Sequence, residues 1–308
     1  MNDLSLPKES VMLEKFASDL NLEILYAGRG IVTLTSISVD RPGLRLAGYF
    51  GFYDTQRIIL IGLSEHEYMR SFGSQERKER IGKIFESGDI PCVILARDLP
   101  VLPEFMECAR ESGTPVFRSG KMTTQLMADI CIYLSRLLAP ETTMHGVLMD
   151  VFGVGIMLTG DSGVGKSETA IELIKRGHRL VVDDSVIIKR IENSLVGSSP
   201  DQIRYFMELR GIGIINVKNM YGSGSVLNEK QIELVMELEH WKRDKEYDRI
   251  GGEKNTEVVL GVKVPKITVP VSPGRNLAIL IEVAARDFRL KSMGYDAAKE
   301  LINRTIGR

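Results

Sequence analysis

Eight residues, Gly160-Asp161-Ser162-Gly163-Val164-Gly165-Lys166-Ser167, constrain this chain more than any other stretch. They fit the phosphate-binding pattern G-x-x-x-x-G-K-[ST]. An apolar run at 154–158 precedes them, and a helical pattern with Ala170, Ile171 and Ile174 on one side follows, closed by Gly177. Backbone N–H groups wrap phosphate oxygens in such a loop, so glycine is needed wherever a side chain would block the approach. The helix N-terminus adds a partial positive charge, Lys166 adds a full one, and the Ser167 hydroxyl can reach a bound Mg²⁺. The plain alternative is a glycine-rich turn. Three glycines within six residues cost roughly 0.5–1 kcal/mol each in regular structure, and a mere connector has no reason to carry them.

The 308 residues suffice for two domains. Net charge is −1, so no basic surplus argues for a nucleic-acid or membrane partner. No apolar run approaches the ~20 residues of a membrane helix, and Met1-Asn2-Asp3-Leu4 lacks the layout of a signal peptide. Cys92, Cys108 and Cys131 are odd in number and widely spaced, which fits reduced thiols better than disulfides or zinc. The expected compartment is the cytoplasm.

The first half alternates helical and strand patterns: a helix over 5–21, strands at 22–26, 31–39 and 57–63, and a polar helix at 74–86. A strand at 91–96, a helix at 103–111, a strand at 115–117 and a long helix at 122–138 complete it. The alternation predicts an α/β domain with a partly parallel sheet. Its chemistry is sparse. Arg41-Pro42-Gly43 reads as a structural turn, and His66, among charged neighbours, as a solvated helix residue.

Residues 139–143, with Pro140, form the best linker candidate, giving domains at 1–138 and 139–308. His145 stands just before an apolar strand, a position usually structural. The strand pattern at 178–182 ends in Asp183 and Asp184, the way a metal-facing or nucleophile-facing carboxylate is presented after a P-loop helix. Successive strand side chains point to opposite faces, so only one of the two acids faces the phosphates, and spacing does not say which. The stretch 208–217 joins Glu208, Arg210, two glycines and what reads as a buried strand; Glu208 is a candidate Mg²⁺ ligand. The charged run at 240–249 reads as an exposed loop or as a segment carrying a cation to the phosphates. Pro265 and Pro270 bracket an edge strand or stiff loop. An apolar stretch at 276–285 and a helix at 296–306 close the chain.

Taken together, these motifs resemble the HPr kinase/phosphorylase family. The resemblance rests on Thr143-Met144-His145-Gly146-Val147, 160–168, 177–184, 208–217, 247–251 and Pro273-Gly274-Arg275-Asn276. In the first half it rests on Arg41-Pro42-Gly43-Leu44 and Ala47-Gly48-Tyr49-Phe50. The small departures are Leu209, Ile212 and Met144. Such membership implies a two-domain α/β fold whose P-loop kinase domain resembles the nucleotide-binding core of phosphoenolpyruvate carboxykinase. It also implies two opposed reactions. ATP or pyrophosphate phosphorylates a serine of the phosphocarrier HPr, and inorganic phosphate releases that group again as pyrophosphate.

The roles that the resemblance implies are these. Residues 160–165 and Lys166 cradle the donor, and Ser167 and Glu208 hold Mg²⁺. Asp184, rather than Asp183, serves as base in one direction and acid in the other, with His145 and Arg249 orienting or stabilising the transferring group. Gly211 and 265–270 belong to regions tied respectively to both reactions and to dephosphorylation. A homohexamer, control by metabolites such as fructose 1,6-bisphosphate, and a place in carbon catabolite repression are implied likewise. The competing readings are a small-molecule phosphotransferase of carboxykinase-like fold and a nucleotide-gated regulatory module without useful turnover.

Overall fold

The computed structural model describes residues 11–51, 56–86, 90–242, 255–272 and 274–306. The chain divides into two compact units between Ala139 and Pro140.

The N-terminal unit runs β1 (Val11–Met12), α1 (Leu13–Asp19), β2 (Glu23–Tyr26), β3 (Thr33–Leu34), β4 (Val39–Asp40) and α2 (Gly43–Leu46). It continues with β5 (Ile58–Ile61), α3 (Leu63–Arg70), α4 (Ser74–Phe85), β6 (Val93–Leu95), α5 (Pro103–Ser112), β7 (Val116–Arg118) and α6 (Thr123–Leu137). Its main sheet has the order β2-β7-β6-β5-β4; β4 to β7 are parallel and β2 is antiparallel. Strands β5 and β6 are buried at every residue because helices cover both faces. Alternation then sends Ile58 and Leu60 into one core, with Phe16, Leu126 and Ile130. Ile59 and Ile61 enter the other, with Ile81, Ile84 and Phe105.

Four expectations change here. The helix expected over 5–21 is the shorter α1 among the described residues, and the strand expected at 31–39 is two short ones. His66 is not solvated: it is 1% exposed, and its Nε2 lies 2.8 Å from the Pro100 carbonyl oxygen. Of its charged neighbours Glu67 and Arg70 are exposed while Glu65 is buried beside it, so local composition misstates its environment. Arg41 does more than turn the chain, since it pairs with Glu65 at 2.8 Å while Glu65 accepts the Gly62 N–H.

The C-terminal unit runs β8 (Glu141–His145), β9 (Val147–Val151), β10 (Val154–Gly160), α7 (Lys166–Lys175), β11 (Arg179–Val182), β12 (Ser185–Ile191) and β13 (Ser194–Ser198). Then come β14 (Phe206–Leu209), β15 (Gly213–Asn216), α8 (Val217–Tyr221), β16 (Glu229–Gln231) and β17 (Leu234–His240). It ends with β18 (Thr256–Val259), β19 (Val262–Val271), α9 (Leu277–Ser292) and α10 (Ala297–Ile306). A six-stranded sheet, β11-β9-β10-β17-β19-β18, lies over a four-stranded one, β16-β13-β12-β8. Leu148, Met157, Val181 and Val235 of the first pack with Val186, Ile188 and Leu195 of the second. The opposite face of the larger sheet (Met149, Ile156, Leu158, Met236) is covered by α7 and α9 through Ala170, Leu173 and Ile281. Each such fully buried aliphatic side chain contributes roughly 1.5–3 kcal/mol.

The last three residues of the proposed linker, 141–143, belong to a strand. Glu141 to His145 form β8, paired with β12 from Lys189 to Ser185. The stretch 208–217 is an antiparallel ribbon rather than a buried strand. Met207, Leu209 and Ile215 face the core, while Ile212 and Ile214 are each 75% exposed. The prolines of β19 do not lie on a simple edge. Residues 262–265 pair with β18 and 266–271 with β17, so each half is bonded on one side and has room for a residue that cannot donate.

Candidate active site

The phosphate-binding pattern spans the junction of β10 and α7: Gly160 ends the strand, residues 161–165 form the loop, and Lys166 and Ser167 open the helix. Gly160, Gly163 and Gly165 take φ of 131°, 84° and 100°, values that side chains resist. A Cβ on Gly160 would stand 2.2 Å from the Leu238 carbonyl oxygen, so this turn requires glycine for space as well. Val164 is 3% exposed and anchors the loop in the core below. Lys166 is 7% exposed; its Nζ donates to the carbonyls of Gly160 at 2.8 Å and Asp161 at 3.0 Å.

Ser167 Oγ donates to both carboxylate oxygens of Asp183, at 3.0 and 3.2 Å, and the Glu208 N–H donates to Asp183 Oδ2 at 3.3 Å. Burial pushes the Asp183 carboxyl above the ordinary aspartate range, with those two hydrogen bonds working against it and the Asp184 charge with it. The next residue departs from strand geometry. Asp184 has φ 75°, its carbonyl accepts the Gly146 N–H at 3.0 Å, and its carboxylate pairs with His145 Nδ1 at 3.0 Å. Ladder pairing sets His145 opposite Ser185, which holds the histidine beside the acid.

The expectation that only one of the two acids faces the phosphates is therefore overturned. A left-handed backbone at Asp184 breaks the strand alternation, and both acids line the cleft, Asp183 deep and Asp184 at the mouth. His145, Ser162, Lys166, Ser167 and Glu208 line it too. Glu208 projects from the exposed face of the β14–β15 ribbon, on the same side as Arg210. Asp183 was one of two candidate acids in the sequence, set behind Asp184 by the resemblance alone, and one further contributor had no role there. Arg210 lay inside a motif already singled out, and only its contact with the P-loop marks it: Nη2 donates to Ser162 Oγ at 2.8 Å. Arg249 lies outside the described residues, as do 243–254 generally.

The site's oxygen donors, namely the Ser167 hydroxyl and the carboxylates of Asp183 and Glu208, are of the hard type that suits Mg²⁺. Among the described residues no group of three or more His, Cys, Asp or Glu side chains is placed to enclose a metal.

Comparison with known proteins decides the lineage. The family model described as HPr Serine kinase C-terminal domain matches residues 136–305, and the one described as HPr Serine kinase N terminus matches 11–134. The chain belongs to the HPr serine kinase family. The HPr kinase/phosphorylase of Alkaliphilus metalliredigens is 45% identical over 300 residues, covering 97% of both chains. That of Latilactobacillus sakei is 47% identical over 297 residues, covering 94% of both. A solved structure described as the Hpr(Ser) kinase/phosphatase from Coxiella burnetii superposes with a TM-score of 0.48 at 37% identity, over 52% of this chain and 98% of that one. In this HPr kinase family member, no described helix is long and apolar enough to cross a membrane. The three cysteines are free, and burial pushes the Cys92 thiol up, away from reactivity.

Proposed function

We propose that this chain is a bifunctional HPr kinase/phosphorylase, phosphorylating a seryl hydroxyl of HPr from ATP or pyrophosphate and reversing the transfer with inorganic phosphate. The observation that carries the reading is one cleft that joins a P-loop lysine and serine to a His145–Asp184 pair. A phosphate cradle alone would suit any nucleotide binder. A carboxylate at the mouth, oriented by a histidine, is what a hydroxyl acceptor needs in addition.

In the kinase direction Asp184 takes the seryl proton as the oxygen attacks the terminal phosphorus, and the donor's bridging bond breaks. In the phosphorylase direction inorganic phosphate attacks phosphoserine, pyrophosphate forms, and Asp184 returns the proton to the seryl oxygen. One group serving as base and then acid is what microscopic reversibility demands. His145 holds Asp184 in place, and Lys166 with the N–H groups of the loop binds the donor phosphates. Ser167 and Glu208 would hold Mg²⁺, with Asp183 fixing the Ser167 hydroxyl. When bound, that ion neutralises phosphate charge and aligns the donor. Arg249 is assigned a cationic role on the family resemblance.

The same resemblance supports a carboxykinase-like nucleotide core in residues 139–308, an assembly or regulatory role for 1–138, a hexamer, a cytoplasmic location and service in catabolite repression. The test is to incubate the purified protein with HPr and Mg-ATP and then add excess inorganic phosphate. Phospho-HPr should form by mass and then disappear with release of pyrophosphate. Absence of phospho-HPr while ATP is turned over would redirect the reading to a small-molecule acceptor.

A further inference from the structure

Arg210 is given no part in the roles above, yet it stands inside the cleft. It follows Glu208 by two residues on the outward face of the β14–β15 ribbon and lies against the P-loop. Nη2 donates to Ser162 Oγ at 2.8 Å, and Nη1 is 2.8 Å from where a Cβ on Gly163 would be. Glycine at 163 thus leaves the space that the guanidinium occupies. Ser162 and Gly163 are the third and fourth residues of the eight-residue loop, between its first glycine and Lys166.

The charge of Arg210 is unspent. Asp183, Asp184 and Glu208 share the cleft, but among the described residues Arg210 makes no ion pair and no hydrogen bond other than that to Ser162. One donor of a five-donor planar fork is engaged, and by a neutral hydroxyl. A guanidinium stays protonated at any working pH and matches two phosphate oxygens at once, so a ligand phosphoryl group in this cleft is a far better partner than the serine.

Resting on the phosphoryl-transfer reading, we propose that Arg210 is a catalytic arginine supplied in cis. It leaves the Ser162 hydroxyl, which holds it while no phosphoryl group is present, and donates two N–H bonds to the transferring phosphoryl group as negative charge spreads over its oxygens. The arginine exchanges no proton and forms no covalent bond. Because the same phosphoryl group is transferred in both directions, one arginine serves both reactions.

The test compares wild type with Arg210→Ala and Arg210→Lys. Titration calorimetry measures binding of Mg-ADP alone and of Mg-ADP with aluminium fluoride, which imitates the phosphoryl group in flight. Arg210→Ala should bind Mg-ADP within about threefold of wild type but the fluoride complex at least about 100-fold more weakly, with kcat on HPr lowered about 10³-fold in both directions. Added guanidinium should restore part of that kcat, and Arg210→Lys should fall between. Equal fluoride-complex binding by Arg210→Ala and wild type would overturn the proposal. So would equal loss of Mg-ADP and fluoride-complex binding, which would make Arg210 a ground-state anchor. A wild-type enzyme that fails to label HPr would instead sink the substrate reading, and the fluoride comparison would still decide the role of Arg210.

Discussion

His145 Nδ1 lies 3.0 Å from Asp184 Oδ1: the histidine ends β8, and the aspartate immediately precedes β12, the strand that pairs with β8. The pair is solvent-facing, at 56% and 71% side-chain exposure, so its worth is positional rather than a contribution to stability. Asp184→Asn should therefore lower turnover by about 10²–10⁴-fold in both directions while leaving donor affinity near wild type. Calorimetric titration with Mg-ATP beside steady-state assays separates the two. Weak ATP binding in this variant would move Asp184 to the metal.

Lys166→Ala should abolish both activities together. Its ammonium is the buried cation at the mouth of the loop, and losing one such group costs about 10²–10³ or more in turnover. Assays in each direction on the purified variant check this, and near-native turnover in either would remove the loop from the mechanism.

Asp183 carries a pH signature. Burial holds its carboxyl above the ordinary aspartate value of 3.8, so the folded chain keeps this proton more tightly than the unfolded chain. Stability linked to the group is greatest below that unfolded value and falls as pH rises through the raised folded value. Asp183→Asn removes the decline, so its melting temperature relative to wild type should climb with pH across that window. Activity should drop, because Ser167 loses a charged acceptor. Melting curves over a pH series of both proteins without metal test it; a pH-independent difference would contradict the assignment.

Gly155 is the second residue of β10, where a Cβ would stand 1.7 Å from the Gln231 carbonyl oxygen. Gly155→Ala must push backbone against backbone, a strain of about 1–3 kcal/mol or more. Differential scanning calorimetry should show the transition of the C-terminal unit lowered by several degrees. An unchanged thermogram would mean that β10 and residue 231 separate at little cost.

What the sequence revealed and what it withheld have separable causes. The loop at 160–167 was legible because glycine, lysine and serine at that fixed spacing suit phosphate binding and little else. The choice between Asp183 and Asp184 was not, because it assumed strand alternation, and φ 75° at Asp184 is invisible in residue types. Ile212 and Ile214 read as core because they are isoleucines in a short apolar run. They are exposed because the ribbon turns its other face, with Met207 and Ile215, to the sheet. His66 erred in the opposite direction: charged neighbours masked a helix face turned inward. Pairing 141–145 as a strand needed its partner at 185–189, forty or more residues away, which no local pattern supplies.

The two hydrogen bonds from Lys166 Nζ to the carbonyls of Gly160 and Asp161 have a thermodynamic corollary. The loop's own backbone is a partner of the lysine, so a phosphate must compete with it as a rival ligand would. Hydrogen bonds to a charged group contribute about 1.5–3 kcal/mol each. The measured affinity for donor is therefore a difference between two sets of contacts, and it understates how tightly phosphate is gripped once the lysine has let go of its own chain.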